Sequence, residues 1–380
     1  MDRPVFVLLV LLACGLVSVA AVLVTGQPAV LFPAPAGTGT SGTPERAAAE
    51  PALRDHPVSC SPIAITQTDG KTIPFPCRPE RIIAANANAA ELLIALGASD
   101  RIVGATDSTL AVPYIREKIP HASSIGDWQT PNVEQILSLH PDAVIAYSSY
   151  RPKNADQIEA HNITIVSLDC YRLSTLASDA RALGNLTGTQ AAAETYARTV
   201  ENTISSVSLR ASKVPSGPGP SVYVESYTDL MVSAPGSAAD EIVTGAGGEN
   251  IADETISLSA KVSPEWVVSK QPAFIFKAVS SSGTRSLAEV RSDIGSRAGW
   301  QEIPAVHNGR VYTFSNEILY GPRAYIGLVH AARILHPDEF ADLDPEEMLD
   351  AYNRTYVPGT SRAGLICPEA GPVTENRDSP

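Results

Sequence analysis

Basic residues are scarce in this chain. Its 28 lysines and arginines face 41 aspartates and glutamates, leaving a formal net charge of −13, and no long basic cluster occurs. A nucleic-acid binder must displace the counterions of a phosphate backbone, and this composition excludes one. An anionic lipid surface would repel the chain as well. Histidine is sparse, with seven residues, and His307, His330 and His336 stand apart from any spaced His/Asp/Glu set that would argue for a metal site. There is no Gly-x-Ser-x-Gly elbow, no His-Glu-x-x-His and no Cys-x-x-Cys. Without these hydrolase, zinc-peptidase and redox signatures, the chain reads as non-enzymatic, with no resident metal or cofactor.

One long apolar run is present. Residues 6–24 are apolar almost throughout and follow Arg3, a length that suits a membrane-crossing helix. An uncleaved anchor is the first reading. Cleavage after Ala20, with small residues at Ser18 and Ala20, and a loose lipobox ending at Cys14 are the other two. All three export the remainder, so the protein is expected outside the cytoplasm, anchored to the cell membrane, or secreted or periplasmic if cleaved. Residues 1–25 are thus signal or anchor. Residues 26–57, rich in Pro, Ala, Gly and Thr, form a flexible tether; their Gly-rich run lacks a following Gly-Lys-Ser/Thr and is no phosphate loop. Among five cysteines, Cys60 and Cys77 flank two alternating stretches hinged on Asp69-Gly70, a strong hairpin signal. In an exported chain their spacing predicts a Cys60–Cys77 disulfide closing the hairpin, rather than two unpaired thiols or metal ligands. Cys170 reads as a buried free thiol. Asn-x-Ser/Thr sequons stand at Asn162, Asn185 and Asn353.

The strongest pattern is a repeat. Asn132-Val-Glu-Gln-Ile-Leu-Ser-Leu-His-Pro141-Asp-Ala-Val-Ile145 is matched by Ser263-Pro-Glu-Trp-Val-Val-Ser-Lys-Gln-Pro272-Ala-Phe-Ile-Phe276 at a constant offset of 131 residues. Asn132 and Ser263 are good N-caps, and Pro264 suits the first helical position. The residues before Pro141 and Pro272 are pushed out of the α region, which keeps each helix short. The apolar run that follows reads as a strand buried on both faces, as in a parallel sheet. Cap, short helix, proline and buried strand therefore occur twice, which argues for two α/β lobes.

The chain between and around these units alternates strand and helix. Asn88 is expected to cap a helix that Gly97 ends. From Thr189 to about Val207, apolar residues recur at steps of three or four, predicting one long helix over about 189–213 that joins the lobes. The expected organisation is an N-terminal lobe with its leading hairpin over 58–188, the connecting helix, a C-terminal lobe over 214–356, and a disordered tail over 357–380.

Several motifs carry a family resemblance. Glu80-Arg-Ile-Ile, Glu91-Leu-Leu-Ile-Ala-Leu-Gly97, Gly126-Asp-Trp-Gln-Thr-Pro-Asn-Val-Glu134, Gly247-Gly-Glu-Asn-Ile251 and both repeat copies look like the substrate-binding proteins of ABC importers for cobalamin and iron–siderophore complexes. The resemblance implies two Rossmann-like lobes joined by a single backbone helix, a monomer, and a cleft that captures an iron(III)–siderophore or related metal chelate. Cobalamin or haem binding and ligand sensing without transport are the alternatives. It also implies an ABC permease and its ATPase as partners, with Glu134 and Glu265 docking on permease arginines. Trp128 and Tyr150 match ligand-contact positions. Tyr147, Tyr171, Tyr227, Tyr320 and Arg323 join them as ligand candidates because they follow strands, where open α/β sheets place ligands. Ser259 stands where a cobalamin binder of the family would carry a second tryptophan.

Overall fold

The computed structural model describes residues 61–214, 217–257, 260–280 and 285–359. The apolar N-terminal stretch, the tether, Cys60, Ser259 and the tail from residue 360 lie outside these described residues.

The chain enters on a hairpin. Strand β1 (Ile63–Thr66) pairs antiparallel with β2 (Thr72–Phe75). Gly70 turns the chain at φ 82°, a conformation glycine adopts without a Cβ penalty. Cys77 is disulfide-bonded; its expected partner, Cys60, falls outside the described residues. Cys170 is a buried free thiol, as expected.

Two parallel sheets follow. The first holds β3 (Ile82–Ala84), β4 (Ile102–Ala105), β5 (Ser123–Ser124), β6 (Ala143–Ala146) and β7 (Thr164–Ser167) in the order β5-β4-β3-β6-β7. The second holds β8 (Ser221–Glu225), β9 (Glu249–Asn250), β10 (Phe274–Val279) and β11 (Val311–Ser315) in the order β11-β10-β8-β9. In each sheet the chain builds to one side and then returns to the other, so the switch points lie between β3 and β6 and between β8 and β10. Every residue of β6 and β10 is buried, the mark of a strand covered on both faces. These two strands are the ones that end the repeat copies.

The repeat folds alike in both lobes. Asn132 accepts from Gln135 N and caps the Val133–Ser138 helix; Ser263 accepts from Trp266 N and caps Pro264–Lys270. The residues before Pro141 and Pro272 do leave the right-handed α region. They turn left-handed rather than extended, His140 at φ 44° and Gln271 at φ 48°. A helix that must reverse into a strand within two residues needs such a positive-φ cap. A smaller correction concerns the first lobe, where Asn86 and not Asn88 is the cap, accepting from Ala89 N at 2.7 Å before the Ala87–Ala95 helix.

A continuous helix, Gln190–Ala211, leads from the first lobe to the second and buries Ala193, Tyr196, Val200 and Val207. At about 1.5 Å per residue its 22 residues span roughly 33 Å. The helix before it, Leu176–Thr187, packs on it so closely that a Cβ added to Gly184 would fall 2.3 Å from that of Ala193. Glycine is the residue that permits this approach.

The lobes also meet in a buried polar junction. Arg323, with no exposed surface, bonds Glu91 through Nε at 2.7 Å. The Tyr352 hydroxyl donates to the same carboxylate at 2.8 Å and Tyr114 donates to its other oxygen. The guanidinium lies between the Tyr114 and Tyr352 rings, 5.0 Å from each centroid. Nearby, the Tyr196 hydroxyl donates to Pro322 O at 2.5 Å. Tyr352 belongs to the last helix, Pro345–Tyr356, which therefore reaches back onto the first lobe. Sequon residue Asn353 is buried in this helix. The Asn185 amide donates to Ala64 O at 2.8 Å, and Asn162 is exposed at a turn.

Candidate binding cleft

The loops that leave the carboxyl ends of the strands carry the aromatic residues. Trp128 follows β5, on a turn that Asp127 closes by accepting from Gln129 N at 2.8 Å and Thr130 N at 3.2 Å. Tyr147 and Tyr150 follow β6. Their loop is held by buried Asp169, which accepts from Ser148 N at 2.8 Å and Ser149 N at 3.1 Å. Tyr171 follows β7. It is aimed by Cys170, a non-glycine residue at φ 57°, whose N–H donates to Asp179 at 2.9 Å. Such a left-handed residue is strained and persists only where its surroundings fix it. Asp179 provides that, since it also accepts from Thr68 of the hairpin at 2.8 Å and from Thr175 at 3.3 Å. Burial raises the Asp179 carboxyl to a pKa of about 6.

These side chains form one patch. Trp128 meets Tyr150 edge-on at 4.8 Å and Tyr147 at 5.7 Å, and Tyr147 meets Tyr171 at 5.8 Å. The second lobe supplies the facing wall. Tyr227 lies beyond β8 and its ring is 5.4 Å from that of Tyr320, which lies beyond β11 and shares a hydroxyl contact with Ser233 at 3.2 Å. Burial pushes the phenols of Tyr147, Tyr171, Tyr227 and Tyr320 above their ordinary range. After burial, Tyr227 is raised further by Tyr320 and by Tyr147 of the opposite lobe. The two walls thus stand within electrostatic reach. Tyr227 keeps 47% of its surface exposed, because the space it faces is an open cleft. At neutral pH these phenols are uncharged.

Several of the described cations near this cleft already have partners. Arg151 pairs with Asp156 at 3.1 Å and Glu159 at 2.6 Å. Arg172 bonds Glu241 of the second lobe at 2.5 Å and Gly236 O at 2.7 Å, and Ser174 adds two bonds to the same carboxylate. This is a latch directly behind Tyr171. In the second lobe, fully buried Glu225 takes Arg297 in a two-pronged pair at 2.7 and 2.8 Å and Lys277 at 2.8 Å.

A family model described as periplasmic binding protein matches residues 82–317. The chain belongs to the periplasmic binding protein family. An ABC transporter substrate-binding lipoprotein of Bacillus subtilis is 24% identical over 74% of this chain and 88% of its own length. A cobalamin-binding protein of Halobacterium salinarum is 27% identical over 69% of each chain. The fold of the TroA-like periplasmic binding protein FepB from Veillonella parvula superposes with a TM-score of 0.67 at 21% identity, covering 80% of this chain and 98% of that one. The expected class, two α/β lobes of the periplasmic-binding kind, is therefore the fold. This periplasmic binding protein is accordingly an extracytoplasmic substrate-binding protein of the ABC-transporter class, a family that is non-enzymatic in general.

Of the ligand candidates, the structure gathers Trp128, Tyr147, Tyr150, Tyr171, Tyr227 and Tyr320 at the cleft. Arg323 is a correction. With no exposed surface and its guanidinium held by Glu91, Tyr114 and Tyr352, it cannot be reached by a ligand and belongs to the junction. Glu134 and Glu265 are exposed in the first turns of their capped helices. Each helix runs into a strand whose far end borders the cleft, so its N-terminal turn lies on the cleft side of its lobe. Glu265 is held below the usual carboxylate range by its own backbone N–H and by the Ser263 hydroxyl. Sequence reasoning missed Asp169, Asp179 and the Arg172–Glu241 latch. A carboxylate immediately beyond a buried strand was the available signal for Asp169; the other two depend on partners distant in sequence.

Proposed function

We propose that this periplasmic binding protein is the ligand-capturing component of an ABC importer, tethered outside the membrane by its apolar N-terminal stretch. It captures a metal chelate with broad flat faces and little net negative charge, for which a corrinoid is the best match. The observation that carries this reading is the cleft wall itself: aromatic rings with uncharged phenols, backed by arginines and a lysine that protein carboxylates already hold. Rings offer flat contact to a macrocycle. The relatives named as cobalamin-binding support the same class. Iron(III)–siderophore complexes are the second reading, favoured by Ser259 standing in place of a tryptophan, and the neutral cleft then selects an uncharged chelate over a polyanionic one.

The test is native mass spectrometry of the full chain with whatever co-purifies, followed by titration with cyanocobalamin, a panel of ferric siderophores and haemin. Corrinoid binding is the expected result. Binding of ferric siderophores alone would move the assignment to the second reading, and binding of none would reject the class.

Docking on the permease runs through Glu134 and Glu265, one exposed acid at the same place in each lobe. Replacing both by Ala is expected to abolish or sharply lower uptake while ligand titration stays unchanged, because neither carboxylate belongs to the aromatic patch. Charge reversal to Lys should cost more than Ala, since it sets like charges together across the interface. Normal uptake by the folded double variant would reduce both acids to helix first-turn residues.

A further inference from the structure

Beside Tyr227, the second lobe contains a cavity of about 270 Å³. It sits at the carboxyl ends of β8 and β10, the switch point of that sheet, where α/β folds place ligands. Tyr227 is shared between this cavity and the cleft, so a molecule lying on the Tyr227 ring can send a side arm into it. Val279 and Val290 supply apolar walls, and Asp229, Lys277, Ser280 and Arg285 the polar ones.

The polar groups are not equivalent. Lys277 is 3% exposed and fully engaged, donating to Ser226 O at 2.7 Å and Tyr227 O at 3.2 Å and pairing with Glu225 at 2.8 Å and Asp229 at 3.1 Å. It holds the cavity's rim in place. Asp229 is held by Lys277 and by Arg297, each at 3.1 Å, yet its side chain remains 66% exposed. A carboxylate has about four acceptor sites, so it can still accept. Burial works against this charge, but Lys277, Arg297 and Arg285 outweigh it and hold the carboxyl below its usual range. It is an acceptor and not a donor at neutral pH. Arg285 pairs with Asp293 through Nη2 and is 47% exposed; its guanidinium carries five N–H donors and no acceptor.

The cavity thus holds a pure acceptor, Asp229, and a pure donor, Arg285, in one lining. A carboxylate arm would meet Asp229 and an ammonium arm would meet Arg285, each a like-charge contact. A primary carboxamide satisfies both at once. We infer that the cavity is a subsite for a primary carboxamide arm of the bound ligand, its carbonyl accepting from Arg285 and its NH₂ donating to Asp229. The assignment rests on the corrinoid reading, because a corrin ring is rimmed with such arms.

The experiment titrates the full-length protein with cyanocobalamin and with its monocarboxylic acids, in each of which one carboxamide has become a carboxylate. One acid is expected to bind at least about tenfold more weakly than the parent, the size of one lost bond to a charged group, while the others stay close to it. Asp229→Asn should remove most of that discrimination. Arg285→Gln, on the exposed side of the cavity, should weaken the parent by about tenfold, and unfolding curves matched to wild type guard against a folding defect. Equal affinity for the parent and every acid, or parent binding unchanged in both variants, overturns the subsite and leaves the corrinoid reading standing. Failure of the wild type to bind any corrinoid overturns both.

Discussion

Ten of the twelve tyrosines fall into two groups that do opposite work. Tyr147, Tyr150, Tyr171, Tyr227 and Tyr320 line the cleft; Tyr114, Tyr196, Tyr325, Tyr352 and Tyr356 fill the lobe junction. The junction rings surround a buried charge. Tyr114 and Tyr352 donate to Glu91 and sandwich Arg323, and Tyr196 ties the bridging helix to Pro322. The cleft rings touch one another edge-on or tilted and bond few groups of the protein. One residue type thus serves as mortar where it packs around a buried charge and as a contact surface where it faces the open cleft.

The largest effect should come from breaking the junction. Glu91→Ala leaves Arg323 buried without its counter-charge and is expected to cost about 3–5 kcal/mol in chemical denaturation. A loss under about 1 kcal/mol would mean that this pair does not hold the lobes together. Next comes the cleft. Trp128→Ala or Tyr150→Ala should weaken ligand binding by about 1–3 kcal/mol in calorimetric titration, with the unfolding midpoint barely moved. If stability fell as much as affinity, the division between the two groups would fail. Smaller is the removal of a single junction hydroxyl: Tyr196→Phe keeps the ring and loses the Pro322 bond, for about 0.5–1.5 kcal/mol of stability. The smallest change is expected from Tyr171→Phe, whose hydroxyl reaches only Ser149 at 3.3 Å. Unfolding should shift by no more than about 0.5 kcal/mol, and a larger loss would place Tyr171 among the structural rings.

Much of the fold was legible because burial on both faces leaves a continuous apolar run, as in Ala143–Ala146 and in residues 273–276, which open the second strand. The bridging helix announced itself through the spacing of Tyr196, Val200 and Val207. The helix before it did not. Leu176–Thr187 contains Gly184, Asn185 and Thr187, weak helix formers, and it buries the face that carries Leu176, Ala180, Leu183 and Leu186. Four cleft residues, Tyr147, Tyr171, Tyr227 and Tyr320, were named from the rule that ligand loops follow strands, and Trp128 and Tyr150 from the family resemblance. The same rule misplaced Arg323, which also follows a strand. What separates a cleft residue from a junction residue is its partner, and the partner of Arg323 stands 232 positions earlier. No local pattern carries that information.

The junction has a consequence for how the molecule comes to be made. The pocket around Glu91 is closed by Tyr352, which is 261 residues downstream. In a chain synthesised from its N-terminus, Glu91 is made long before Arg323 and Tyr352, so the first lobe can gather its sheet but not finish its seam. The last described helix is the keystone of the half that is made first. Truncation ahead of Tyr352 would therefore damage not only the end of the protein but the alignment of the first lobe against the second.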